Sequence, residues 1–73
     1  MARKDKPVDA RPARLRRCRL ESGMSQSALA RAAGMRQSHV SEAETGQRVI
    51  GHRAAWQLAR ALGIDPADLM PPD

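Results

Sequence analysis

At 73 residues and 8.0 kDa the chain has room for one small domain, which would bury only roughly 60% of the surface its unfolded form exposes; a large enzyme fold is excluded. Thirteen of its apolar residues are alanine, against six Leu, two Ile, three Val and no Phe. The core is therefore thin, of the kind that typically supplies ~3–5 kcal/mol and is often completed by dimerisation or a ligand. Thirteen Lys and Arg against eight Asp and Glu give a net charge of +5 and a pI near 11.1, which points to a polyanionic partner such as nucleic acid or an anionic membrane.

The charge is unevenly spread. Arg3, Lys4, Lys6, Arg11, Arg14, Arg16, Arg17 and Arg19 outnumber Asp5 and Asp9, so residues 1–20 carry +6 and the remaining 53 sum to −1. Any anion-binding surface is expected to include the N-terminal arm or the first helix. Cys18 stands alone, which removes a disulfide framework and suits a reducing cytosol. No apolar run exceeds three residues, so neither a transmembrane helix nor a signal-peptide segment is expected, and the chain is expected in the cytoplasm.

Residues 1–11 show mixed charge and no apolar periodicity, which predicts a flexible basic arm. An ordered domain is expected over residues 12–70, with a short tail over 71–73. Pro12 suits a helix start, and Leu15, Cys18 and Ser22 repeat at helical spacing, predicting a first helix over 12–21 that ends at Gly23. Ser25 is an N-cap type, and Leu29, Ala30 and Ala33 share a face before Gly34, predicting a second helix over 26–33. After the break Gly34-Met35-Arg36, a third helix is expected over 37–44, with Val40 and Ala43 inward and Gln37, Ser38, Ser41 and Glu42 outward.

Gln47 to Gly51 reads as a loop. Ala55, Leu58, Ala59 and Leu62 fall at i, i+3, i+4 and i+7, predicting a fourth helix over 52–62 stopped by Gly63. Asp65-Pro66-Ala67-Asp68 combines an N-cap acid with proline at the first helical position, predicting a short fifth helix to Leu69 or Met70. No alternating strand pattern occurs, so the class is all-α: a compact five-helix domain.

Helix, three-residue turn with glycine, helix over Gln26 to Glu44 is the unit of the DNA-binding helix-turn-helix. The second of these helices exposes short amide and hydroxyl groups, which suit base edges in the major groove; an ordinary solvated face more often carries Glu and Lys. The text Ser25-Gln26-x-x-Leu29-Ala30-x-x-Ala33-Gly34-Met35, Val40-Ser41-x-Ala43-Glu44-x-Gly46 and Leu58-Ala59-x-Ala61-Leu62-Gly63-Ile64 resembles the Xre/Cro-type helix-turn-helix regulators of bacteria and phages, over about residues 13–70.

The resemblance implies a lambda-repressor-like DNA-binding fold that binds double-stranded DNA as a homodimer on a two-fold-related operator, with the third helix in the major groove. It implies base contact by Gln37, Ser38 and Glu42, with Arg36 at the entrance of that helix, and phosphate contact by Ser25, Gln26, Ser41, Thr45 and Arg48. Arg19 and Glu44 are implied to form a partly buried ion pair. The chain departs from the family at Arg36, where a capping Ser or Thr is usual, at Ile50, where proline is frequent, and at His52, where leucine is frequent. Glu42 can accept from cytosine N4 but repels phosphate, so selective exclusion is a second role for it.

Other patterns read blandly. Cys18 is expected as a small buried hydrophobe beside Leu15. His39 and Glu42 lack a third neighbouring ligand, so no metal is assigned, and no cofactor is expected. Gly46 to Arg53 imitates a phosphate-binding loop but lacks its Lys and Ser/Thr. Trp56, the one aromatic residue, is expected in the core or at a dimer contact. The arginines around 14–17 face no bulky apolar stripe, so phosphate attraction outweighs membrane binding. Nothing in the sequence assembles a nucleophile, base and orienting group, so no enzyme is expected. The function expected is a transcriptional repressor acting by promoter occupancy; the alternative is an antitoxin-like or sigma-factor-binding module that uses the same fold to hold a protein partner.

Overall fold

The computed structural model describes residues 9–71. Four α-helices, α1 (Arg11–Glu21), α2 (Gln26–Ala33), α3 (Gln37–Thr45) and α4 (His52–Leu62), are followed by one 3₁₀ turn at Pro66–Asp68, with no strand among the described residues. The predicted residues 1–8 of the arm and 72–73 of the tail lie outside the described residues. α2 and α4 begin and end where cap and periodicity place them, and α3 runs one residue further than predicted.

Local chemistry accounts for these boundaries. The Ser25 hydroxyl accepts the Ala28 N–H at 3.0 Å, starting α2. Gly34 ends it at φ +72°, which frees the Met35 N–H to bond the Ala30 carbonyl at 2.9 Å; a left-handed residue followed by this bond is the glycine-dependent helix stop. The chain then extends through Arg36 and re-enters a helix at Gln37. As its residue type suggests, Arg36 caps α3 with no side-chain hydrogen bond.

α1 starts at Arg11, one residue earlier than predicted, because the Asp9 carboxylate accepts the Arg11 backbone N–H at 3.0 Å. Arg11 is thereby helical and belongs to the folded domain. The fifth helix is instead a single 3₁₀ turn: Asp65 caps it by accepting the Ala67 N–H at 2.9 Å, the Asp68 and Leu69 amides bond three residues back, and Leu69 then enters the core.

Six bulky side chains, Leu15, Leu29, Val40, Ile50, Leu58 and Leu69, are fully buried, one or more from every helix and from the two connections after α3 and α4. Alanines fill the spaces between them: Ala30 and Ala33 on α2, Ala43 on α3, and Ala55 and Ala59 on α4. Small residues at the crossings let short helices approach closely, so a chain with little Leu, Ile or Val still closes a buried interior.

One expectation about burial is corrected and another is narrowed. On α1 the inward position next to Leu15 is Arg19, which is buried, whereas Cys18 is half-buried and Ser22 exposed. The reason is that α3 presents a carboxylate where α1 meets it, so a cation fits there better than a thiol. Of the two places expected for Trp56 the core is ruled out: it is 54% exposed, on the outer face of α4, which leaves the dimer contact.

Candidate nucleic-acid interface

α3 packs on α1 and α2 through Val40, Ala43 and Glu44. At 3.6 residues per turn, Gln37, Ser38, Ser41, Glu42 and Thr45 share one arc of about 140°. Arg36, Gln37, Ser38 and Thr45 are exposed, and Ser41 and Glu42 are half-buried. The structure thus gathers Gln37, Ser38 and Glu42, of the predicted base-contacting residues, on one side of α3, and leaves Arg36 in the extended residue just before it.

That face is held by a buried polar cluster. The Arg19 guanidinium donates through Nε to Glu44 Oε2 and through Nη2 to Glu44 Oε1 at 3.1 Å, and its Nη1 donates to the Met24 carbonyl at 2.8 Å. The two side chains are only 9% and 2% exposed. The predicted ion pair is present, and hydrogen bonding to Glu44 raises the Arg19 pKa above its already high ordinary value.

Gln26 joins the same cluster, its Nε2 donating to Glu44 Oε1 at 3.1 Å. A carboxamide nitrogen carries two hydrogens, so one anchors Gln26 to α3 and the other stays available for a phosphate at the start of α2. One buried carboxylate therefore sets both the position of α3 against α1 and the aim of Gln26. The Ser25 hydroxyl accepts the Ala28 N–H and keeps its own proton to donate.

The end of α3 is folded back on itself. Gly46 adopts φ +84°, and the Glu42 carbonyl accepts the Thr45 hydroxyl at 3.1 Å and the Arg48 amide at 3.2 Å. Thr45 thus directs its hydroxyl proton to its own helix. Arg48, expected to contact the DNA backbone, is also paired within the chain: its Nε donates to Glu42 Oε1 at 3.0 Å and its Nη2 lies 2.8 Å from the same oxygen. His39 is half-buried on α3, and no group of three potential metal ligands occurs among the described residues. The imitation phosphate loop at Gly46 to Arg53 is a connection that buries Ile50 and then enters α4.

Sequence reasoning missed the Glu42–Arg48 pair and the part played by Arg11. The Arg11 Nη1 donates to the carbonyls of Ile50 at 2.6 Å and Leu69 at 3.4 Å, while its Nε and Nη2 bond Asp9. One guanidinium clasps the start of α1, the connection after α3 and the C-terminal turn. Inside a run of basic residues, nothing in its spacing distinguishes Arg11 from a solvated neighbour.

Two short helices joined by a tight glycine turn, the second exposed along a face of amide and hydroxyl groups, define a helix-turn-helix DNA-binding domain. The helix-turn-helix family pattern matches residues 15–69. Among solved structures, the chain is similar to the restriction-modification controller protein C.AhdI from Aeromonas hydrophila, known from a high-resolution crystal structure: 39% identical, with a TM-score of 0.77 over 81% of this chain and 89% of that one. No curated protein matches the chain. The chain belongs to the Xre-type helix-turn-helix family and is a DNA-binding transcriptional regulator.

Proposed function

We propose that the protein acts as a homodimeric repressor in the cytoplasm, occupying a two-fold-related operator and blocking a promoter without a catalytic step. No described helix is long and apolar enough to cross a membrane. In this reading Arg36, Gln37, Ser38 and Glu42 meet base edges, Ser25, Gln26, Ser41 and Arg48 meet the DNA backbone, and Thr45 joins them by turning its hydroxyl from the Glu42 carbonyl to a phosphate. The observation that carries it is the exposed arc of α3, aimed by the Arg19–Glu44–Gln26 cluster behind it. The half-exposed Trp56 supports a subunit contact on α4, since a large aromatic side chain gains most by burial there. The likeness to a restriction-modification controller supports control of such a gene set as the regulatory task.

Selection of bound duplexes from a random pool, followed by sedimentation with and without the selected site, tests this. The expected result is a palindromic site with half-site centres about 34 Å apart, bound by two chains. No selected sequence, together with a stoichiometric protein partner recovered from the source cell, would overturn the repressor reading in favour of a protein-interaction module.

A further inference from the structure

Glu42 sits on the base-facing arc of α3, yet a carboxylate is the wrong charge for a surface that approaches phosphates. Arg48 resolves the conflict. Its guanidinium grips the carboxylate at Oε1 through Nε and Nη2, and its backbone amide bonds the Glu42 carbonyl, so residue 48 is tied to residue 42 at both main chain and side chain. Both side chains keep substantial exposure, 49% for Arg48 and 39% for Glu42, and exposed ion pairs contribute little to stability. The pair is therefore poorly explained as a stabilising device.

The chemistry of the two groups suggests another use. A guanidinium has five N–H donors; with Nε and one N–H of Nη2 directed at Glu42, the others can meet a phosphate. The carboxylate keeps Oε2, which has no hydrogen-bond partner among the described residues, as an acceptor. In the major groove cytosine presents only the N4 amino donor, whereas guanine and thymine present acceptors and adenine sets its N6 donor beside the N7 acceptor. A neutralised, oriented carboxylate at this position accepts from cytosine and repels the rest.

We propose that Arg48 is a specificity-determining positioning residue: by bridging Glu42 to the DNA backbone it holds the Glu42 carboxylate to select a C·G pair opposite the middle of α3. This rests on the reading of α3 as the base-reading helix. Arg48 thereby does more than anchor the protein non-selectively.

The test measures binding of wild type, Glu42→Gln, Arg48→Ala, Arg48→Lys and the Glu42→Gln/Arg48→Ala double variant to the selected duplex and to duplexes with each base pair replaced, over a range of salt. Circular dichroism of each variant confirms that it is folded. Glu42→Gln is expected to lower discrimination at one C·G position by roughly tenfold. Arg48→Ala is expected to lower it at the same position and also to flatten the salt dependence, and the double variant to lose no further discrimination. Arg48→Lys is expected to keep the salt dependence but not the discrimination, because an ammonium lacks the fork.

If Arg48→Ala weakens all duplexes alike and leaves that preference intact, the positioning role is overturned while the base-reading helix stands. A preference untouched by Glu42→Gln likewise overturns it. A wild-type protein that binds every duplex equally overturns the base-reading assignment of α3 itself, a distinguishable failure.

Discussion

Removing the Arg19 guanidinium while leaving Glu44 in place is the most informative perturbation of the fold. In Arg19→Met the Glu44 carboxylate stays buried with only the Gln26 amide as partner, and the Met24 carbonyl loses its donor. Breaking a buried pair from one side costs ~3–5 kcal/mol, and the orphaned carbonyl places this variant at the upper end. At roughly 0.05–0.15 kcal/mol per residue, a chain of this length holds about 4–11 kcal/mol in total, so the loss ranges from somewhat under half of its stability to all of it. Glu44→Leu is expected to cost less, because the Arg19 guanidinium keeps the Met24 carbonyl as a partner. In Arg19→Met/Glu44→Leu no unpaired charge remains, and replacing a buried pair by apolar residues is often neutral or better, so most of the loss returns. Urea denaturation followed by circular dichroism measures all four proteins. Losses of the two single variants that simply add in the double would refute the reasoning, since contacting partners must show coupling.

Three other perturbations follow from the same geometry. Gln37→Ala should weaken binding to the preferred duplex by about 1–3 kcal/mol and relax preference at one base pair, with little change in the salt slope; duplex-binding titrations at several salt concentrations decide this. Arg11→Ala removes hydrogen bonds from a charged donor to two carbonyls, each such bond being worth about 1.5–3 kcal/mol, and should lower the urea midpoint, with amide exchange quickening first near Ile50 and Leu69. Hydrogen bonds from the Arg11 side chain and backbone hold the Asp9 carboxyl below the ordinary carboxylate range. Because the folded-state value is the depressed one, its contribution to stability is complete above the unfolded carboxyl's midpoint and is lost as pH falls through the folded one. Carbon NMR of the Asp9 carboxyl should show a low midpoint that moves up toward the ordinary value in Arg11→Ala; an identical midpoint in both proteins would remove the clasp from the solution structure.

The elements legible in the sequence are those whose signals are local. Ser25 and Gly34 bracket α2, and the periodicity of Ala55, Leu58, Ala59 and Leu62 marks α4, because caps and apolar spacing act over a few residues. Gln37 and Ser38 were legible as outward because Val40 and Ala43 fix the inner face of the same helix. The hidden features depend on partners distant in sequence. Apolar periodicity favoured Cys18 over Arg19 because the reason for burying a cation lies 25 residues away, at Glu44. Arg11 reads as part of the arm because its two carbonyl acceptors lie 39 and 58 residues further on. The Glu42–Arg48 pair spans only six residues, but it needs the left-handed turn at Gly46 to bring the two together, and side-chain pairing across such a turn follows no helical spacing.

The clasp by Arg11 has a topological consequence. A single side chain near the beginning of the described residues touches a carbonyl near their end, so residues 9–71 are nearly a closed ring. Neighbouring ends are what let a domain be reconnected and opened elsewhere. A permuted protein trimmed to residues 9–71, with those two ends joined by a short glycine–serine bridge and the new ends at the exposed Ser22-Gly23 turn, would keep α2, the glycine turn and α3 as one uninterrupted stretch, separating the order in which the chain is threaded from the surface that meets DNA.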